Sequence, residues 1–421
     1  MHMMEQMVKP VYEQLIAKGR TKLAEMYSMW KTTLQRADGT VFLMTGDIPA
    51  MWLRDSSAQV CHYLPHANAF PEVADAIGQM IRRQFMYITI DPDANAFDKE
   101  PNGNKLHHDR TNWTGEQKEW IWESKYEIDS LCYPIRLAHA YWKQTGRTDW
   151  CDETFRNAAE AILTVWETEQ HHCEKSPYTF ERIVDCPPSD TLVNGGKGAP
   201  VAYTGMTWSG FRPSDDACKY GSLIPANFFA RRSLEQLAEI VETLMPDDAM
   251  LRRIAKLHDE IDEDLRRHAV VHYEVYGDVY AYEVDDFGNV NLMDDANVPT
   301  LLSLPYLGCL SADDPIYQNT RKMLLSKANP YYCEGSVACG IGSPHIPAGF
   351  VWLISLCIQG LTSQDGVEIF ELADMLEKID ADTFLMHEGV HVNDPYDFTR
   401  PWFAWANSIF SEFVEKAVST L

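Results

Sequence analysis

Leu223-Ile-Pro-Ala-Asn-Phe-Phe-Ala-Arg-Arg-Ser-Leu-Glu-Gln-Leu237 places a proline at the head of an apolar segment with helical spacing. Proline suits a first helical turn, where its missing N–H would have no intrahelical partner anyway. The arrangement recurs at Pro49 (DIPAMWLRDSSAQV), Pro134 (LCYPIRLAHAYW), Pro299 (NVPTLLSLPYLG), Pro347 (HIPAGFVWLISL) and Pro401 (TRPWFAWANSIF). Pro134 can equally lie inside a helix that begins near Glu127. Between these segments run helices with one apolar face, at about 9–35, 71–87, 152–172, 247–268, 314–328 and 366–378. A helix apolar on most sides needs cover all round, whereas one with a polar face belongs outside. Alternation along the chain therefore predicts six inner and six outer helices: an all-α (α/α)6 barrel, one domain over residues 1–421, with the loops ahead of the inner helices opening on one end. Strand-like pieces are few. FMYITID from Phe85 reads as one, and VYAYEVDDFGNVNL as two joined by a turn at Gly288-Asn289.

Composition narrows the function. The chain has 36 basic and 62 acidic residues, a formal charge of −26. Phosphate-rich partners would be repelled, so neither nucleic acid nor an anionic membrane surface is expected. The ten cysteines form no C-x-x-C pair and several lie in apolar runs, which reads as buried free thiols. The opening MHMMEQMVKP lacks a basic segment followed by an apolar run, and no stretch of about 18 apolar residues occurs. A cytoplasmic protein is expected, and the sequon Asn112-Trp113-Thr114 then carries no weight.

Three loops hold the polar residues that could do chemistry. In the first, Trp52-Leu53-Arg54-Asp55 sets a charged pair into an apolar helix start. A buried charge there must be paired or given to a ligand. The pair is either a structural ion pair or a grip on sugar hydroxyls with Trp52 as a wall. In the second, Trp208-Ser-Gly-Phe-Arg-Pro-Ser-Asp-Asp216 carries adjacent carboxylates, Asp215 and Asp216, after Arg212. Adjacent side chains diverge, so only one can aim at a given bond, and a helix cap is the rival reading. In the third, His387-Glu388-Gly389-Val390-His391 holds a carboxylate before a glycine that suggests a close backbone approach. Its histidines have a zinc-like spacing, but Gly389 and Pro395 oppose the helix such a site needs. The acidic run from Asp285 to Asp295 lacks calcium-loop spacing. No metal and no cofactor is expected. Carboxylates from opposite halves of the chain are what glycoside hydrolysis requires, one to protonate the leaving oxygen and one to act on water or the sugar.

Six strings then resemble one family: TGDIPAMWLRDSSAQV, KYEIDSLCYPIRLAHAYWK, MTWSGFRPSDDACKYG, SLIPAN, GIGSPHIPAGFVWLIS and HEGVHVNDPYDFTRPWFAWANS, in order from about Thr45 to Asn407. They are similar to glycoside hydrolase family 125. The resemblance implies an (α/α)6 barrel and a metal-independent bacterial exo-α-1,6-mannosidase that inverts the anomeric carbon. It places the general acid at Asp215, with Asp216 in support, and the general base at Glu388. Arg54 and Asp55, with the loop of His345, would help hold the terminal mannose of α-mannosides and mannose-terminated oligosaccharides, and Trp52, Arg212 and Asp216 are expected beside them as substrate-binding residues. Other classes on this fold include sugar epimerases, for which His345, His387 and His391 could supply a proton-transfer pair, and non-catalytic glycan binders.

Overall fold

The computed structural model describes residues 2–30, 32–102, 109–112, 119–183 and 186–421. Trp113 and Thr114 of the sequon lie outside these residues. The outer helices are His2–Ala17, Pro71–Ile90, Glu153–Glu169, Asp248–His268, Pro315–Leu324 and Gly366–Lys378. Five of the six start within two residues of their expected positions. The caps explain several starts: Asp152, Asp247, Asp314 and Asp365 each accept hydrogen bonds from backbone N–H groups of the first turn.

The first outer element differs from the expected 9–35. The chain leaves the helix at Gly19, in left-handed conformation (φ 76°), and resumes as Thr21–Tyr27. It then makes an antiparallel hairpin of Leu34–Ala37 with Thr40–Leu43 around Asp38-Gly39 (φ 52° and 72°). An Asp-Gly turn with both residues at positive φ favours that hairpin. The strand expected from Phe85 is instead the end of the helix Pro71–Ile90. Ile77, Ile81, Phe85 and Ile88 recur at helical spacing and are buried, so packing overrides the β-branched tail.

The inner ring is Leu53–Ala58, Ile128–Thr145, Ile224–Leu244, Leu353–Leu361 and Ala404–Ala417, with a run of turns over 301–310 in the fourth place. Ala404–Ala417 packs on both Leu353–Leu361 and Leu53–Ala58, closing the ring. In the barrel interior, Tyr306 of the turn segment donates to Glu412 and lies under the Arg136 guanidinium. One hydrophobic core runs continuously from Met7 to Val418.

Of the six prolines singled out from the sequence, only Pro225 sits in the first turn of its inner helix; Pro134 is inside its helix. Two- and three-residue strands stand between the loop and the helix at Met51–Trp52, Ser222–Leu223 and Phe350–Trp352. Each joins a three-stranded antiparallel sheet, the strands expected of VYAYEVDDFGNVNL among them. These small sheets fix the loops at the open end of the barrel. Among the described residues no helix is long and apolar enough to cross a membrane.

Candidate active site

All six loops ahead of the inner ring converge on one cavity. Its deep chamber, about 390 Å³ of open space, is lined by Thr45, Ile48, Trp52, Arg54, Asp55, Ser214, Asp215, Asn297, His345, Trp352, Glu388, Arg400 and Phe403. An outer chamber of about 1280 Å³ shares Ile48, Trp52, Asp215, His345 and Arg400 with it and adds Trp122, Glu123, Lys125, Arg182, Asp190 and Asp216.

The floor is an excess of negative charge around one cation. Arg54, 3% exposed, donates to Glu127 (2.6 Å) and Asp129 (3.2 Å) and lies 3.5 Å from Asp55 and 3.6 Å from Asp215. Burial pushes the Glu127 carboxyl well up and that of Asp129 up to about 6, in both cases against the pull of Arg54. Burial also raises Asp55, with Asp215 adding to it and Arg54 opposing it. Several polar atoms here have no hydrogen-bond partner: Arg54 Nε, Glu127 Oε1, Asp129 Oδ1, Asp215 Oδ1, Asn297 Oδ1 and Trp352 Nε1. Buried polar atoms left unpaired cost free energy unless a ligand or water satisfies them.

Asp215 sits in a tight turn in which Arg212 N donates to Asp216 O (2.8 Å) and Asp215 N donates to Arg212 O (2.9 Å). Its φ is 73°, a left-handed conformation costly for a residue with a Cβ. The turn points the two adjacent carboxylates apart. Asp215 faces the deep chamber; Asp216 faces the outer one, 3.6 Å from His345 Nδ1 and 3.3 Å from the Ser214 hydroxyl. Burial works against the charge on Asp216, but His345 and Ser189 outweigh it and hold this carboxyl below its usual range. Burial likewise pulls His345 down, yet Asp216, Asp215 and Glu388 together lift it to about 9.

Glu388 lines the deep chamber together with Asp215. It heads the strand Gly389–His391, which pairs with Phe350–Trp352 on one side and Asp394–Thr399 on the other. The Glu388 carbonyl accepts from Leu353 N (3.3 Å), which couples the carboxylate to Trp352 and the start of an inner helix. Arg400 Nη1 lies 3.6 Å from Glu388 Oε1, and Arg400 is itself tied to Asp47. Gly389 is part of the strand rather than a turn. A Cβ there would come 2.4 Å from Ile346 Cδ1, so the close approach expected of this glycine is to that side chain.

Some expected residues fall elsewhere. Arg212 does not line either chamber, because Glu283 takes its guanidinium with two bonds of 2.6 and 3.1 Å. His387 is buried, stacked on Phe398 at 3.9 Å, and His391 packs on Phe350. Neither reaches the cavity, which removes the histidine pair an epimerase would need. Among the described residues no group of three or more His, Cys, Asp or Glu side chains is arranged to hold a metal ion. Glu127, Asp129, Asn297, Trp352, Arg400 and Phe403 were not singled out from sequence. Glu127 and Asp129 did carry a signal, two acids beside the apolar start of an inner helix; Trp352 and Phe403 sit in apolar runs and carried none.

Comparison with known proteins agrees with the fold. Residues 20–415 match the family described as metal-independent alpha-mannosidase (GH125). A Streptococcus pneumoniae member of a family of metal-independent alpha mannosidases, solved in a non-productive substrate complex with alpha-1,6-mannobiose, has 43% identity and a TM-score of 0.94, over 99% of this chain and 98% of its own. The meiotically up-regulated gene 157 protein of Schizosaccharomyces pombe is 39% identical over 431 residues, 97% of this chain and 84% of the yeast protein. A glucoamylase from Saccharomycopsis fibuligera, 10% identical over 97% of this chain and 96% of its own, shares the fold alone (TM-score 0.57). With (α/α)6 architecture, convergent loops and this match over nearly its whole length, the chain belongs to glycoside hydrolase family 125, the metal-independent α-mannosidases.

Proposed function

We propose that this protein is an exo-acting α-1,6-mannosidase that removes terminal non-reducing α-mannose from oligosaccharides with inversion, residues 1–421 acting as one catalytic domain in the cytoplasm. The observation that carries this reading is that Asp215 and Glu388, from loops far apart in sequence, line one small chamber. That chamber suits one sugar, with the rest of the glycan in the outer chamber. The α-1,6-mannobiose bound by the pneumococcal relative supports the linkage. The ten free cysteines suit a reducing compartment.

Asp216 is turned to His345 in the outer chamber, whereas Asp215 lines the deep one beside Glu388, so Asp215 is the carboxyl we read as giving a proton to the bridging oxygen. As that oxygen leaves with the proton, Glu388 takes a proton from a water attacking the anomeric carbon on the opposite face. Arg400 orients the Glu388 carboxylate, and Trp52, Trp352 and Phe403 wall the sugar ring. Asp55 and the unpaired oxygen of Asn297, which line the deep chamber, offer acceptors for its hydroxyls. Proton NMR of α-1,6-mannobiose cleavage tests the stereochemistry: β-mannose should appear first. Release of α-mannose first would mean that Glu388 is not the base of an inverting reaction. Glu388→Gln, which keeps the shape without the proton acceptor, should lower kcat by about 10²–10⁴-fold.

A further inference from the structure

The backbone of Asp215 is held from the outer chamber by a chain of alternating charges. Lys125 Nζ donates to the Asp215 carbonyl oxygen at 2.8 Å and makes a short contact with Asp190. Lys125 is only 2% exposed, lies 4.0 Å from Glu123 and sits over the Phe211 ring. Arg182 braces this group from behind, binding Glu123 (2.7 Å) and Asp190 (2.9 Å). Asp109 in turn grips Arg182 with both oxygens (2.9 and 3.0 Å). The Lys125 backbone is fixed as well, its N–H donating to Asn95 (3.1 Å).

A buried ammonium is expensive, and packing alone does not call for one. This one ends on the carbonyl of a residue strained at φ 73°. A strained backbone persists only where its surroundings over-determine it. Lys125, Glu123, Arg182 and Asp190 also line the outer chamber, where the leaving portion of a substrate would lie. We propose that Lys125 is a positioning residue for the acid: it clamps the Asp215 backbone in the left-handed turn that aims the carboxyl at the bridging oxygen. The proposal rests on the reading of Asp215 as general acid.

Misplacing an acid harms substrates that need protonation and spares those that do not. A structural defect lowers both together. The test measures kcat and KM for α-1,6-mannobiose and for 2,4-dinitrophenyl α-mannoside, whose leaving group departs almost without help. Lys125→Met should lose about 10²-fold in kcat on mannobiose, the scale of a misplacement near 1 Å, with KM little changed and the dinitrophenyl substrate cleaved at close to the wild-type rate. Lys125→Arg keeps the buried charge, which protects folding, but its longer head cannot put one donor in the same place; it should show the same selective loss, about tenfold. Proportional loss on both substrates, or loss on neither, overturns the proposal, and Lys125→Arg alone decides it if Lys125→Met does not fold. Asp215→Asn separates the two levels. If it shows the selective loss and the Lys125 variants do not, only the clamp is wrong; if it does not, the acid assignment fails and the clamp with it.

Discussion

Arg54 and Arg212 look alike in sequence, each an arginine shortly before an aspartate and within two residues of an aromatic, and the fold buries both but treats them in opposite ways. Arg212 meets one carboxylate, Glu283, in a two-pronged pair, and Asn291 satisfies the second Glu283 oxygen at 2.8 Å. Charge and hydrogen bonds balance there. Arg54 meets Asp55, Glu127, Asp129 and Asp215, and atoms on both sides of the cluster lack partners. A balanced buried pair holds the protein together; an unbalanced one is a free-energy cost retained beside the deep chamber, where the proposed function places the sugar. The number of unmet polar atoms, rather than the presence of a buried arginine, separates the two.

The largest effect should come from Arg54→Met. Removing the one cation among four acids should cost about 3–5 kcal/mol and abolish mannoside cleavage, as read by denaturant unfolding and by activity. Arg212→Met should cost a similar amount of stability, but the protein that folds should retain its kcat. Adding Glu283→Met should recover most of that loss, since an apolar pair can replace a balanced ion pair. Adding Glu127→Met to Arg54→Met should recover little, because Asp55, Asp129 and Asp215 remain. Equal recovery in the two double variants would erase the distinction drawn above.

A smaller effect concerns pH. His345 is lifted from 6.5 to about 9 by the carboxylates around it. A base whose folded value is raised contributes stability that is complete below about 6.5 and lost as pH rises through about 9. Unfolding midpoints should fall across that window, and His345→Gln should flatten the fall. The smallest expected effect is none at all. If Arg54 is the cation that serves this acidic floor, exhaustive chelation should leave the rate unchanged. A rate lost to chelator and restored by calcium or zinc would mean that a metal shares that role.

The barrel was legible because its evidence is periodic. Helical spacing located the outer helices, and apolar runs behind prolines located the inner ones. The three short strands ahead of the inner helices were not legible, since two or three residues carry no period. The hairpin at Leu34–Leu43 had a local sign in Asp38-Gly39, outweighed by the helical reading of the preceding residues. At the site, Asp215 and Glu388 stood out as carboxylates in proline- and glycine-rich loops. The partner that takes Arg212 out of the site is 71 residues away and leaves no local sign, and Asn297 and Trp352 are distinguished only by their unpaired atoms, which no sequence pattern marks.

Closure of the ring has a consequence for how the protein comes into being. Thr45 and Phe403 line the same chamber, and the helix that seals the barrel, Ala404–Ala417, packs against Leu53–Ala58. During synthesis the early helices must wait, with apolar faces uncovered, until nearly all the remaining chain has emerged. Contacts so distant in sequence form late, after the entropy of a very long loop has been overcome. The pocket is therefore assembled last, and no incomplete copy leaving the ribosome early carries a working site.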